Sequence, residues 1–384
     1  MIESVRLHHV RSWTDGVIAF TPGPHILWGE NGAGKTTALE ACIIAATGRS
    51  HRAGALREVI AGDEEQAAIT VTVRDDGAES SDPLAHSALT VEISRAGRAK
   101  HLLNGTPRTS AALGQRLRVA AFVPEETGLV VGAPAIRRGL LDRVASQWQR
   151  GYEATLTRYE RALRQRNRLL KDALEVDGAA RRAIASEMRP WTEMLITTGS
   201  EVVAGRLALL AALAPLLSAA HAEVAPSEAD LETHYLSREE YRPDESAVEC
   251  ASRLAQSFDQ TAEAEGYQGY TLVGPHRDDI AFHVGGSDIA PTASRGQQRS
   301  LLLALLFAEI TLLTDEEGRP PVLLLDDAFS ELDPQRREHL VARIAALPQS
   351  LITTTTLDDL APGLVARSTS REIRRGPHGS AVVA

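Results

Sequence analysis

The sequence predicts an α/β fold interrupted by a helical lobe, and three observations predict it. A short apolar strand, a glycine turn and an apolar helix follow one another between His25 and Ala46. A strand–helix–strand pattern returns between Val322 and Thr354. Between them, from Gln147 to about Ala222, the periodicity is helical. At 384 residues the chain has room for two or three domains. One domain split by an insert explains α/β character at both ends better than three independent domains do.

The elements follow in order. Ser4 to Val10 alternates and reads as a strand. Gly23-Pro24 punctuates, and His25-Ile26-Leu27-Trp28 has the apolar run of a buried strand. Thr36 to Ala46 is the helix. Ala67 to Val73 alternates again, and the polar stretch Asp75 to Ala88 reads as a loop. Leu89–Ser94 and His101–Leu103 are strands, and Asn104-Gly105 signals a type I′ hairpin. Gln147 to Leu174 reads as one helix with Tyr152, Leu156, Tyr159, Leu163, Leu170 and Leu174 along a heptad-like seam. A second helix is expected from Met188 to Ala222, with Pro190 in its first turn and a kink at Pro215. Joined near Gly178, the pair fits a short antiparallel hairpin and an ordinary helical core equally well. Glu223 to Glu249 is acidic and irregular. Tyr270–Val273, Ile280–Val284, Val322–Leu325 and Ser350–Thr354 read as strands, Leu301–Leu313 and Arg336–Leu347 as helices.

Composition excludes several classes. Two cysteines, Cys42 and Cys250, cannot make a disulfide scaffold and fit a reducing compartment. Met1-Ile2-Glu3 leads into mixed residues rather than a signal peptide. The apolar stretch Leu301–Leu313 is interrupted by Glu309 and is shorter than the roughly 18 residues of a membrane span. The formal charge of −10, taken whole, argues against a nucleic-acid binder. The charge is uneven, however. Between Arg137 and Lys171 ten basic residues face three acidic ones, a local charge of +7, and nearly all the cations are arginine. Arginine grips phosphates with bidentate geometry. Arg137, Arg138, Arg158, Arg161, Arg164 and Arg168 are therefore candidate DNA contacts. A solvated helix face with Glu/Arg pairs is the alternative, and the size of the excess favours DNA.

Four motifs carry chemistry. Gly29-Glu30-Asn31-Gly32-Ala33-Gly34-Lys35-Thr36 fits G-x-x-x-x-G-K-[ST], with a strand before it and a helix after. Its backbone N–H groups would curl round a phosphate, Lys35 would reach the β/γ-phosphates and Thr36 would ligate Mg²⁺. Val322-Leu323-Leu324-Leu325-Asp326-Asp327 would deliver Asp326 beside that metal and Asp327 as general base to an attacking water. Ser294-Arg295-Gly296-Gln297 opens an apolar helix and offers a second phosphate-binding end; a plain helix cap is the alternative. Ser330-Glu331-Leu332-Asp333-Pro334 starts another helix and admits the same alternative. His276-Arg277-Asp278-Asp279 fits a turn held by Arg–Asp pairing near the nucleotide better than a metal site. His8-His9 fits strand surface.

These motifs together resemble an ABC-type ATPase, and more narrowly the RecF family. The narrower resemblance rests on Arg11-Ser12-Trp13, Thr47-Gly48-Arg49-Ser50-His51-Arg52, Phe122-Val123-Pro124-Glu125-Glu126, Gly132-Ala133-Pro134 with Arg137-Arg138 and Leu141-Asp142, Arg158 to Leu163 with Gln165-Arg166-Asn167, and Gly274-Pro275-His276-Arg277-Asp278-Asp279. It implies an ABC-type P-loop head: an ATPase lobe of residues 1–124 and 306–384, and a helical lobe of 125–305 with the signature motif. It implies that ATP and Mg²⁺ bind at the P-loop, Thr37 included, with Arg11 and Ser12 nearby. Ser294, Gly296 and Gln297 would meet the nucleotide of a second protomer, and Ser330 and Asp333 would also bind nucleotide. Lys35, Asp326 and Asp327 would be catalytic. An ATP-driven homodimer would clamp gapped or junction DNA in the cytoplasm and help RecR and RecO load RecA, slow hydrolysis releasing it. No membrane is implied; the subunit of an ABC transporter is the alternative. Trp13 would offer a contact to the base. Val123 stands where ABC ATPases carry a Mg²⁺-sensing glutamine, with Glu125 as substitute. Thr354 and Thr355 replace the switch histidine of transporters, and a hydroxyl there, with Thr354 as the nucleotide-binding candidate, would touch the γ-phosphate.

Overall fold

The computed structural model describes residues 1–75, 85–228, 230–330, 332–376 and 379–383. Along the chain come β1 (Ile2–Val10), β2 (Trp13–Ala19), β3 (Gly23–Trp28), α1 (Lys35–Thr47), β4 (Gln66–Arg74), β5 (His86–Ser94), β6 (Lys100–Leu103), β7 (Thr106–Arg108), α2 (Ser110–Gly114) and β8 (Val119–Phe122). The helical middle holds α3 (Pro134–Trp148), α4 (Tyr152–Asp172), α5 (Gly178–Val224), β9 (Leu231–Leu236), α6 (Ala247–Gln268), β10 (Asp279–Val284) and β11 (Ser287–Asp288). Then follow α7 (Arg295–Glu317), β12 (Val322–Asp326), α8 (Pro334–Ala346), β13 (Gln349–Thr354), α9 (Pro362–Val365), β14 (Thr369–Gly376) and β15 (Gly379–Val383).

Two compact units result: Met1–Val130 with Leu216–Glu228 and Ala293–Ala384, and Val131–Pro215 with Ala229–Thr292. This differs from the expected helical lobe of 125–305. Residues 293–305, signature stretch included, group with the nucleotide-binding unit, because helix α7 packs there as one piece.

The first unit holds two sheets. The order β2-β1-β4-β5-β6-β7 is antiparallel; the order β15-β14-β3-β13-β12-β8 is parallel except at β14–β15. Strands β4 and β5 alternate, sending Ala67, Ile69, Val71, Leu89, Val91 and Ile93 into the core. Strands β12 and β13 are buried on both faces; β12 accordingly reads as a continuous apolar run, whereas β13 buries Gln349, Ser350, Thr353 and Thr354 beside Leu351 and Ile352. Helix α1 touches strands of both sheets and is apolar all round, the pattern of an enclosed helix. Asn104 and Gly105 both have positive φ, 51° and 75°, and close the expected type I′ hairpin between β6 and β7. The expected loop Asp75–Ala88 is shorter: β5 begins at His86, and residues 76–84 lie outside the described ones.

The second unit differs more from expectation. The helix expected over 147–174 is α4, beginning at Tyr152 after Gly151, whose φ is 88°; Gln147 and Trp148 close a separate helix, α3, that was not anticipated. Helix α5 starts ten residues earlier than expected, so Pro190 lies inside it. The carbonyl that Pro190 leaves unbonded, that of Ser186, belongs to an exposed residue and can bond water. A stretch of α5 is long and apolar enough to cross a membrane by composition, but Val202, Val203, Leu207 and Leu209 are buried as core. Helix α6 and strand β9 were not anticipated, and Tyr270–Val273 is not a strand. Ser246 and Glu249 form a capping box at the start of α6, a signal present in the sequence.

Candidate nucleotide-binding site

The P-loop leaves β3 and enters α1. Gly29 has φ 144°, and a Cβ there would stand 2.2 Å from the Ile373 carbonyl oxygen. Gly34, φ 101°, is the N-cap of α1, and no side chain caps the helix. The first N–H groups of α1 are therefore available, with the positive end of the helix dipole, to a phosphate. A cavity of about 370 Å³ lies over them, lined by Asn31, Gly32, Gly34, Lys35, Thr36 and Thr37, by Arg11, Ser12, Arg52 and Pro124, and by Asp326, Asp327, Thr353 and Thr355.

The carboxylates arrive on β12. Asp326, buried, accepts from Thr36 Oγ1 at 2.9 Å and from Thr353 Oγ1 at 2.5 Å. The hydroxyl and carboxylate expected at Mg²⁺ are thus adjacent. One carboxylate and one hydroxyl, with phosphate and water completing the shell, suit Mg²⁺. Asp327 has φ 51°, rare for a residue with a side chain, and its N–H is held by the Thr353 carbonyl at 3.2 Å and hydroxyl at 3.1 Å. Burial, with Asp326 nearby, raises the pKa of Asp327. Lys35 donates to the carbonyls of Gly29 at 2.6 Å and Glu30 at 2.9 Å; burial lowers its pKa.

Two expected contacts are corrected, those of Trp13 and Thr354. Trp13 is 1% exposed and donates from Nε1 to the Gly34 carbonyl at 3.0 Å, so it buttresses the P-loop from below and offers no face to a base. Thr354 turns away from the cavity: strand side chains alternate, so Thr353 and Thr355 face it while Thr354 donates to the Thr356 carbonyl at 2.8 Å. Val123 is core, and Glu125 pairs with Arg52 at 3.4 Å. Gly29, Glu30 and Ala33 shape the loop without lining the cavity.

Sequence reasoning missed Glu40, Arg52 and Thr353. Glu40, on α1, is 1% exposed and accepts from Arg11 Nε at 3.2 Å and Nη2 at 2.8 Å, and from Ser50 Oγ at 2.6 Å, with Arg52 at 3.6 Å. Burial alone would raise its pKa, but these bonds and charges outweigh it and hold Glu40 below the ordinary glutamate range. Glu40 therefore anchors both arginines at the cavity wall. A lone glutamate in an otherwise apolar helix was the available signal.

The signature stretch forms a complete capping box: Ser294 Oγ accepts from Gln297 N at 3.2 Å, and Gln297 Oε1 accepts from Ser294 N at 3.0 Å. Asp333 caps α8 and pairs with Arg336, which also bonds Ser300 of α7. Ser330 donates to the Asp327 carbonyl at 2.9 Å; Glu331 lies outside the described residues.

In the second unit the Gly274–Asp279 stretch is the hub of a buried polar network. Tyr159 meets His276 Nδ1 at 2.6 Å, Tyr235 donates to Asp278 at 2.6 Å, and Arg206 donates to the Pro275 carbonyl at 2.7 Å and to both oxygens of Asp142 at 2.9 Å. Arg137 belongs to this network. It is buried and forked onto Asp279 with two bonds of 2.7 Å, which removes it from the DNA-contact set. Arg138 is half-buried on the Asp278 carbonyl. Arg158, Arg161, Arg164 and Arg168 are exposed on one face of α4. No cluster of three or more His, Cys, Asp or Glu able to hold a metal occurs among the described residues.

Residues 1–362 match the family described as RecF/RecN/SMC N terminal domain, so fold and site define an ATPase head of the ABC and SMC type. The chain is 36% identical over 368 residues to the DNA replication and repair protein RecF of Symbiobacterium thermophilum, covering 94% of this chain and 92% of that one. It is 33% identical to the RecF of Limosilactobacillus reuteri over 98% of both chains. Among solved structures, the recombination mediator protein RecF-ATPrS in the RecFOR pathway superposes with a TM-score of 0.83 at 25% identity, over 100% of this chain and 98% of that one. The Smc head domain of Pyrococcus furiosus shares the fold, with a TM-score of 0.53 at 16% identity. The chain belongs to the RecF family.

Proposed function

We propose that this chain is an ATP-switched DNA clamp of recombinational repair, acting in the cytoplasm at the nucleoid. One observation carries the reading. Ser294, Gly296 and Gln297 stand at a helix N-terminus in the unit that holds the P-loop, yet they do not line that unit's own phosphate cavity. A second phosphate-binding end that the chain's own cavity does not use fits the nucleotide of another protomer. ATP would then be held between two copies, the P-loop of one facing Ser294–Gln297, Ser330 and Asp333 of the other.

Within one copy the P-loop N–H groups and Lys35 bind the phosphates, and Asp327 holds and deprotonates the attacking water. Burial helps Asp327 accept that proton, because its raised pKa makes it a stronger base. Its arm is shorter than that of glutamate, which suits slow turnover. Thr36 and Asp326 would hold Mg²⁺, which neutralises phosphate charge when bound. Hydrolysis opens the dimer. Exposed Arg158, Arg161, Arg164 and Arg168 would bind the phosphates of gapped or junction DNA. A RecF relative placed in the RecFOR pathway supports RecR and RecO as partners, and the family resemblance adds RecA.

Light scattering with ATP, ADP or no nucleotide, with and without gapped DNA, tests the reading. Dimers should form with ATP alone, and Asp327→Asn should trap them while Lys35→Met abolishes them. A protein that stays monomeric at micromolar concentration with ATP, and whose turnover gapped DNA leaves unchanged, refutes it.

A further inference from the structure

Two aromatic rings at the C-terminal end of α6 stand outside the core. Tyr267, in the last helical turn, is 73% exposed, and Tyr270, just past the Gly269 cap, is 39% exposed. The chain has only six tyrosines, and the other four are buried or half-buried in the second unit. An exposed aromatic pair within a polar rim marks an interaction site.

The rim is cationic. The Arg277 guanidinium lies 5.0 Å from the centre of the Tyr270 ring. Arg181 Nη2 donates to the Gly266 carbonyl at 3.4 Å, one residue before Tyr267. The Gly269 turn packs against the end of α4: a Cβ on Gly269 would stand 2.6 Å from Leu174 Cδ1 and 3.8 Å from Lys171 Cγ. Lys171 in turn continues the exposed stripe of Arg161, Arg164 and Arg168 by helical spacing. Acidic residues share this surface: Asp172 is paired with Arg168 at 3.7 Å, Glu263 is exposed one turn before Tyr267 and Glu175 is exposed close to Lys171 in the chain, while Glu265 is buried against Arg166.

Flat rings among arginines and lysine match one ligand chemistry. Unpaired bases expose π-faces and bring phosphates with them, whereas the bases of a duplex are already stacked on each other. We propose that Tyr267 and Tyr270 form a stacking platform for unpaired bases of a DNA strand, with Lys171, Arg181 and Arg277 holding that strand's phosphates. The proposal rests on the DNA-clamp reading and extends it. The α4 arginines hold duplex backbone without regard to sequence, and the tyrosine platform supplies the preference for a single-strand junction.

The test compares a fluorescein-labelled duplex carrying a (dT)₁₂ overhang with the same duplex blunt, with ATP and full-length protein. Wild type should prefer the overhang. Tyr267→Ala with Tyr270→Ala should weaken overhang binding by about 5- to 100-fold, the range of one lost base stack, and leave blunt-duplex binding unchanged. Both residues are exposed, so the fold should survive, and circular dichroism checks it. Tyr267→Phe with Tyr270→Phe should restore overhang affinity, since stacking needs the ring and not the hydroxyl. In Tyr267→Trp, the overhang should quench the new tryptophan. Overhang affinity of the alanine pair within twofold of wild type overturns the platform and leaves the clamp standing. So does loss of binding to a partner protein with DNA binding intact. A wild type that binds neither DNA overturns both readings.

Discussion

Glu40→Gln isolates the buried anchor of the nucleotide cavity. The glutamine keeps the size of the side chain and one oxygen acceptor but removes the charge that Arg11 grips with two bonds and Arg52 faces at 3.6 Å. Breaking a buried ion pair by removing one partner costs about 3–5 kcal/mol. Arg11 is 27% exposed, so water recovers part of that, and a loss of about 2–3 kcal/mol is expected at neutral pH. Urea unfolding of the nucleotide-free protein, followed by circular dichroism, measures it. A double-mutant cycle with Arg11→Met should give a coupling of about 1.5–3 kcal/mol. The pH dependence gives a second reading. Because the folded pKa of Glu40 is held low, its contribution is present above the unfolded value of about 4.5 and fades as pH falls below it. Wild type should therefore lose stability relative to Glu40→Gln as the buffer is acidified. Equal midpoints at pH 7, or strictly additive effects in the cycle, would refute the anchor.

The remaining predictions concern both units. Thr353→Val removes the hydroxyl that bonds Asp326 and accepts from Asp327 N–H, and should slow ATP turnover by about 5- to 100-fold; Thr354→Val, on the opposite face of the strand, should leave turnover within about twofold. A phosphate-release assay on both variants decides, and the reverse ranking would show that the strand register is misassigned. Arg206→Met should cost about 2–4 kcal/mol in urea unfolding, because it leaves the half-buried Asp142 with the Tyr152 hydroxyl but without its counter-charge. Burial pushes the Asp278 carboxyl up to about 7 despite the Tyr235 bond. Its contribution is therefore fully present below about 3.8 and is lost as pH rises through 7. The stability gap between wild type and Asp278→Asn should shift against wild type across that interval, and a pH-independent gap argues that the group is ionised throughout.

The legible parts of the sequence were those where chemistry and backbone coincide. The P-loop needs glycine at 29 and 34 because the chain takes positive φ there, and those residues cannot be disguised. Buried strand β12 showed as an apolar run because both of its faces are covered. Less was legible where a side chain's direction decided its role. Thr353 and Thr354 look equivalent in sequence, and only the strand's alternation separates them. Trp13 read as a ligand contact because the RecF resemblance puts an aromatic at that place, whereas its indole supports the loop from inside. Helix α6 was legible and overlooked: Cys250, Leu254 and Phe258 recur every four residues on its buried face, and its capping box was written in Ser246 and Glu249.

The charge pattern shows the same limit. A local +7 between Arg137 and Lys171 treats every arginine as free for phosphate. The structure sorts them. Arg137 and Arg166 are buried and spent on Asp279 and Glu265, carboxylates more than ninety residues away along the chain, which no local count includes. The arginines that remain exposed on α4, at 158, 161, 164 and 168, recur every three or four residues and so share one face of the helix. The same residue type thus performs two jobs: the buried arginines close the core, Arg137 with a bidentate pair to Asp279 and Arg166 with bonds to Glu265, Thr192 and Thr271, whereas the outer arginines of α4 are held only by surface pairs, Arg158 with Glu201 and Arg168 with Asp172, which a polyanion can replace. Net charge cannot distinguish these roles, because a buried pair contributes zero wherever its partner lies. The tendency to bind DNA is therefore set by the arrangement of the unspent cations rather than by the sum over the chain, and an acidic protein can carry a basic face.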